Sequence, residues 1–269
     1  MAKAKKAPAH RDQQKPSLFS NLSPLQQDLL CIGLLYLITL VLFRGIVFED
    51  KAFSTGGDTM NALTYAKVGD DIKKAEGEDP LWMPNFFSGM PTFGNVHYIP
   101  HDVSYVQAAV VAVLKVFYLN GKWSWFPVYY LFCGVFTFLL LRVWNLSRIA
   151  ALLGAITFML SPYGIGLAAE GHGSKLMALS YLPLVFLLTH VVFERRDILS
   201  FGLLSAAIGT LLLTNHMQIV YYVFIVLGLY LRSALSLACA SEPGRSRLSS
   251  ARSYRAAARD ILRSEEAQG

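Results

Sequence analysis

The lengths of its uncharged apolar runs constrain this chain more than any other feature. A helix needs about 20 predominantly apolar residues to cross the hydrocarbon core of a bilayer. Residues 29–48 read LLCIGLLYLITLVLFRGIVF, with Arg44 as the one charge, near the end of the run. Residues 126–141, 149–169, 176–193, 198–214 and 217–231 contain no Asp, Glu, Lys or Arg. The connections between them are brief: Arg142–Arg148, Glu170–Lys175, Glu194–Asp197 and Asn215–Gln218. Spans of this kind joined by short turns describe a compact helical bundle.

Composition agrees. The chain is 16% charged, against about 25% in soluble domains. That excludes an ordinary cytosolic enzyme, and a hydrophobic share of 54% excludes a disordered chain. The net charge of +6 raises the question of a nucleic-acid partner. Its placement answers it. Lys3, Lys5, Lys6, Arg11 and Lys15 precede the first run, and Arg245, Arg247, Arg252, Arg255, Arg259 and Arg263 follow the last. Basic ends around apolar spans are a topology signal, and no nucleic acid is implied. The first run lacks a small-residue cleavage site and reads as a retained helix. Cys31, Cys133 and Cys239 lack metal-ligand spacing and read as small packing residues.

Residues 103–119, VSYVQAAVVAVLKVFYL, either span or lie along the surface. Counting them as a span puts Arg142/Arg148 and Arg195/Arg196 outside. Leaving them out puts both arginine pairs inside with the basic N-terminus, as the positive-inside rule prefers. Ser104, Gln107, Ala108 and Lys115 also form a small or polar stripe, as on an interfacial helix. The expected fold is an all-α integral membrane bundle of about six transmembrane helices. It divides into a basic cytoplasmic N-terminus (1–28), a first span (29–48), an extracytoplasmic loop (49–125) carrying the interfacial helix, a helical bundle (126–239) and an Arg-rich cytoplasmic tail (240–269). Both termini are then cytoplasmic. The loop is acidic, with nine acids against four lysines over 49–102, and a short helix is expected over 58–76 with Asp58 as its N-cap.

This topology gathers polar groups on one side. Asp58, His97, His101, Glu170, His172, Lys175, Asn215, His216 and Gln218 all fall at the outer ends of the spans. Ionisable groups at membrane depth usually mark a pathway or a site. Asp58 either accepts a proton from a substrate hydroxyl or merely caps a helix. Asp70-Asp71 either binds a divalent cation or belongs, with Lys73 and Lys74, to a solvated helix. His172 and Lys175 either neutralise a phosphate beside close-approaching glycines or form a polar turn with Lys175 reaching the headgroups. Asn215, His216 and Gln218 either bind a headgroup or lock a helix turn. Trp82, Phe86, Phe87, Tyr98, Trp123 and Trp125 either stack on a sugar or anchor at the interface. No nucleotide, zinc-protease or serine-hydrolase motif is present, and no matching pair of broken helices favours a transporter.

Several of these segments resemble one bacterial family. Gly57-Asp58-Thr-Met-Asn61, Asp79-Pro-Leu-Trp82 and Phe86-Phe-Ser-Gly-Met-Pro91 look like the first outer loop of the YfhO-like membrane proteins. Glu170-Gly-His-Gly-Ser-Lys175 with Tyr181-Leu-Pro183, and Asn215-His-Met-Gln218 with Tyr221-Tyr222, are similar to its later motifs. The resemblance covers about 25–231. It implies a GT-C type glycosyltransferase of the bacterial cytoplasmic membrane, taking sugar from a polyprenyl-phosphate donor to a cell-envelope acceptor. It makes Asp58 the catalytic base, and places His172 and Lys175, with Asn215, His216 and Gln218, at the lipid phosphate. No cofactor or resident metal is assigned, and a divalent ion stays open. Family members are longer, and from about Ser233 the chain departs from them. Residues 241–269 read as a cytoplasmic amphipathic helix or as the product of a frameshift or truncation. The remaining readings are a truncated, non-catalytic module that binds lipid or partners a chain supplying the C-terminal portion, and a transporter subunit.

Overall fold

The computed structural model describes residues 22–49, 51, 57–92, 104–214 and 216–241. The expected tail (240–269) lies almost wholly outside the described residues.

Helix α1 (Pro24–Leu42) starts five residues before the apolar run, because polar residues begin it. Ser23 Oγ accepts from the Gln26 backbone N–H at 3.3 Å, and Gln26 Oε1 accepts from the Ser23 N–H at 2.8 Å. Pro24 occupies the first helical position, where its missing N–H costs nothing. The helix stops at Phe43, and a single turn, α2 (Arg44–Phe48), follows. The first apolar run is therefore two helices, with Arg44 beyond the break.

Helix α3 runs Gly57–Glu76, so Asp58 lies inside its first turn and not at the N-cap. The first turn of a helix is its positive end. Tyr65 on this helix buries against Met83 of a short hairpin, β1 (Trp82–Met83) paired antiparallel with β2 (Met90–Pro91). Val68, Ile72, Phe86 and Met90 complete this small separate core.

Helix α4 (Tyr105–Lys115), capped by Ser104 and ending in a 3-10 turn at Val116–Tyr118, occupies the segment expected to be interfacial. Five further helices follow: α5 (Trp125–Val143), α6 (Arg148–Met159), α7 (Pro162–Ala169), α8 (Gly173–Arg195) and α9 (Ile198–Leu212). The last is α10 (Met217–Ser241).

Among the described residues, five stretches are long and apolar enough to cross a membrane: 24–42, 125–143, 148–169, 173–195 and 217–234. The third is α6 and α7 together, interrupted where Ser161 caps a new helix that opens on Pro162. The expected sixth span, 198–214, is shorter than the sequence suggests. Asp197 starts α9 by accepting from the Ser200 N–H at 2.7 Å, and the helix ends at Leu212 after 15 residues. At about 1.5 Å per residue that is roughly 22 Å, less than a hydrocarbon core of about 30 Å.

Helix α5 is the centre of the bundle, packing on α1, α4, α6 and α8. Val128, Tyr130, Cys133 and Phe138 along it are buried. Gly134 lets α6 approach closely, since a Cβ there would stand 2.9 Å from Met159 Sδ.

Side-chain contacts sort the helix ends into two groups. Asp28 of α1 meets Arg142 at the end of α5 and Arg148 at the start of α6. Tyr230 of α10 meets His190 of α8 in the same half of the molecule. At the opposite end, Thr39 of α1 bonds Tyr118 at 2.6 Å, Ser104 bonds Thr210 of α9 at 3.2 Å, and Gly173 of α8 lies against Trp125 of α5. Helix α4 is thus tied at one end to α9 and at the other to α1.

Candidate functional site

Two turns at this second end carry the polar groups. The α7–α8 turn is Glu170-Gly171-His172. Gly171 has φ +79°, a left-handed conformation that a side chain disfavours. This reverses the chain so that the His172 N–H bonds the Leu167 carbonyl at 2.8 Å. His172 precedes the first residue of α8 but its ring does not cap the helix. Its Nε2 lies 3.5 Å from Lys175 Nζ, one turn on. An ammonium only donates, so in this contact the imidazole nitrogen facing it is the acceptor. The second turn leads from α9 to α10. His216 Nδ1 accepts from the Ile219 N–H at 3.5 Å, at the start of α10.

The two turns meet. Burial holds His216 below the usual imidazole range, and the positive charge of Lys175 and then His172 push it the same way. Two imidazoles and an ammonium thus share one region. No described carboxylate lies within salt-bridge distance of Lys175. Such a set attracts an anion and gives it donors on several sides.

The support for this region was not visible as a motif. Gly173 is where α8 touches α5: a Cβ on it would stand 2.8 Å from the Trp125 ring. Trp125 in turn lies tilted against Phe126 and meets Tyr129 edge to face. Gln107 of α4 donates to the Tyr129 hydroxyl and reaches Met177 Sδ at 3.7 Å, two residues beyond Lys175. The polar stripe of 103–119 flagged Gln107; its partners on α5 and α8 are far away in sequence.

Beside Gln107 an apolar groove of about 360 Å³ runs between α4, α5, α8 and α9. Phe132, Phe136, Tyr181, Leu188 and Leu203 line it, with Gln107 and Thr210 as its polar members. A second hollow of about 370 Å³ lies by Lys51, Tyr130 and Ile165.

The other expected site residues fall less simply. Gln218 donates to the Tyr222 hydroxyl at 3.1 Å along its own exposed helix face. Asn215, His97, His101 and Tyr98 lie outside the described residues. For Asp58 the helical position is described and the side chain is not. Asp71 pairs with Lys74 at 3.8 Å, and Lys73 pairs with Asp79 at 2.9 Å, as on a solvated helix. Among the described residues no group of three His, Cys, Asp or Glu is placed to hold a metal. Comparison with protein-family models, with curated proteins and with solved structures finds no match.

Proposed function

We propose that this chain is a multi-pass membrane protein that holds the phosphate of a lipid-linked substrate between its two polar turns. The fuller form of the proposal is a YfhO-like, GT-C type glycosyltransferase of the bacterial cytoplasmic membrane. The observation that carries it is that Lys175, one turn from His172 and near enough to His216 to act on its charge, stands at the end of the bundle where Gln107 joins Met177 to an apolar groove. A long-chain lipid phosphate has both matching parts: an anion for the Lys175 ammonium and the neighbouring imidazoles, and a hydrocarbon chain for the groove.

In this reading both termini are cytoplasmic, α4 lies along the outer interface, and the two turns open to the outside. Asp58 takes the proton of the acceptor hydroxyl, and that oxygen attacks the anomeric carbon of the donor sugar. The bond from that carbon to the phosphate oxygen breaks, and the lipid phosphate leaves with its charge. Lys175 and a protonated imidazole stabilise the departing anion.

One observation favours a second, non-catalytic reading. The helix that carries Asp58 folds onto its own hairpin in a separate small core. A protein that binds the lipid and presents it to another chain would need only the two turns and the groove.

Purified protein given a polyprenyl-phosphate sugar and an acceptor extract separates the readings. The transferase releases polyprenyl phosphate, Asp58→Asn stops release without loss of donor binding, and Lys175→Ala weakens donor binding. Donor binding without release selects the lipid-presenting module. Absence of donor binding by the unaltered protein removes both.

A further inference from the structure

The opposite end of the bundle holds a second charged cluster. Asp28 Oδ1 accepts from Arg148 Nε at 2.7 Å and from Arg142 Nε at 3.3 Å. Two guanidinium groups thus share one carboxylate oxygen, and the cluster keeps an excess of one positive charge. Arg142 Nη1 also donates to the Leu146 carbonyl at 2.6 Å, and Arg148 Nη2 to the Pro24 carbonyl at 3.3 Å. Arg142 Nη2 and Arg148 Nη1 make no hydrogen bond among the described residues. All three charged side chains are about a quarter exposed, at 26%, 28% and 29% for Arg142, Asp28 and Arg148.

The surroundings are those of a lipid. Leu25 and Leu29, one turn apart on α1, are 68% and 55% exposed. Ile149 and Leu153, one turn apart on α6, are 74% and 60% exposed. These stripes lead away from the charged cluster along two helices that pack on each other. The cluster sits where long apolar helices begin and end.

We propose that Arg142 and Arg148 bind the phosphate of an anionic phospholipid of the phosphatidylglycerol class. Asp28 positions the two guanidinium forks, and the exposed stripes of α1 and α6 meet the acyl chains. Arginine suits the role because its planar fork matches phosphate oxygens and remains charged at the membrane surface. Basic pockets between spanning helices recognise lipid headgroups by the same chemistry. This inference rests on the helices spanning a bilayer, and not on the anion cluster at the other end.

The test is lipid retention by the purified full chain, measured by native mass spectrometry after mixing with equal phosphatidylglycerol and phosphatidylcholine. The unaltered protein keeps phosphatidylglycerol in preference. Arg142→Gln and Arg148→Gln each weaken that preference about fivefold. Asp28→Asn adds a net positive charge and strengthens it, even though it removes two ion pairs from the fold. A cluster that only fastens α1 to α5 and α6 gives the opposite result, with Asp28→Asn losing stability and lipid preference together. Equal retention of the two lipids overturns the site. So does a thermal shift with inorganic phosphate alone that equals the shift with phosphatidylglycerol, because the ligand is then a free anion.

Discussion

His216 is the imidazole on which the charges of the neighbouring polar turn act. Its imidazole is held below 6.5, first by burial and then by the charges of Lys175 and His172. The sign follows for a base with a lowered value. Between the folded value and 6.5 the unfolded chain binds more protons, so stability rises with pH through that window. It falls as pH drops through 6.5, and the whole cost is present below the folded value. An anion between the turns reverses the bias, since it favours the imidazolium. Binding of a polyprenyl phosphate should therefore take up a proton and tighten as pH falls toward the imidazole range. Calorimetry in two buffers of different ionisation heat reads that proton directly, and His216→Asn should remove it. Lys175→Ala should raise the His216 titration midpoint partway, burial being the larger cause; an unchanged midpoint by NMR would mean the turns do not meet. Gly173 makes a separate demand. Gly173→Ala drives a methyl into the Trp125 ring and should cost about 1–3 kcal/mol in thermal unfolding, the usual range for overpacking.

Helix α4 shows how an element is held without a long apolar interface. Val113, Val116 and Phe117 on it are exposed, while its anchors are polar: Ser104 to Thr210, Gln107 to Tyr129, and Tyr118 to Thr39. Tyr118→Phe leaves the buried Thr39 hydroxyl without that partner. It should cost about 1–3 kcal/mol, with amide exchange rising first in 105–118. The polar stripe made this helix legible, because Ser104, Gln107 and Lys115 recur at helical spacing. The histidine–lysine turn was legible for the same local reason: His172 and Lys175 stand one turn apart, flanked by glycine. Element boundaries were less so. The start of α1 at Pro24 depends on a polar capping box that an apolar-run reading passes over. The breaks at Phe43, just before Arg44, and at Ser161-Pro162 lie inside runs whose mean hydropathy stays high, so hydropathy alone does not show them. Contacts between distant segments were not legible at all. Nothing in the sequence pairs Trp125 with Gly173 or Asp28 with Arg142, since each depends on how whole helices pack.

At the scale of the molecule, the short helix α9 decides the topology. Among the described residues five stretches are long enough to cross a membrane on their own, and α9 is not one of them. Yet α8 runs 23 residues away from the turn that holds His172 and Lys175, and α10 starts beside that turn at His216. The chain must return between those points, and 198–212 is the only helix available to bring it back. The 15 residues of α9 then cover the distance with help from the turns at its two ends. A helix short of the hydrocarbon thickness is tolerated by local thinning of the bilayer or by burial against its neighbours. Here α9 packs on α8 and binds α4 through Thr210. Counting α9 as a crossing gives six in all and returns the chain to the side on which α1 began. Cysteine reporters at the exposed Glu194 and Met217, on a background lacking the native cysteines, test this parity. An impermeant maleimide applied to intact cells should reach one of them, and the other only after permeabilisation. If both react from the same side, α9 does not cross. The two polar turns would then face different compartments, and no single lipid phosphate would touch His172 and His216 together.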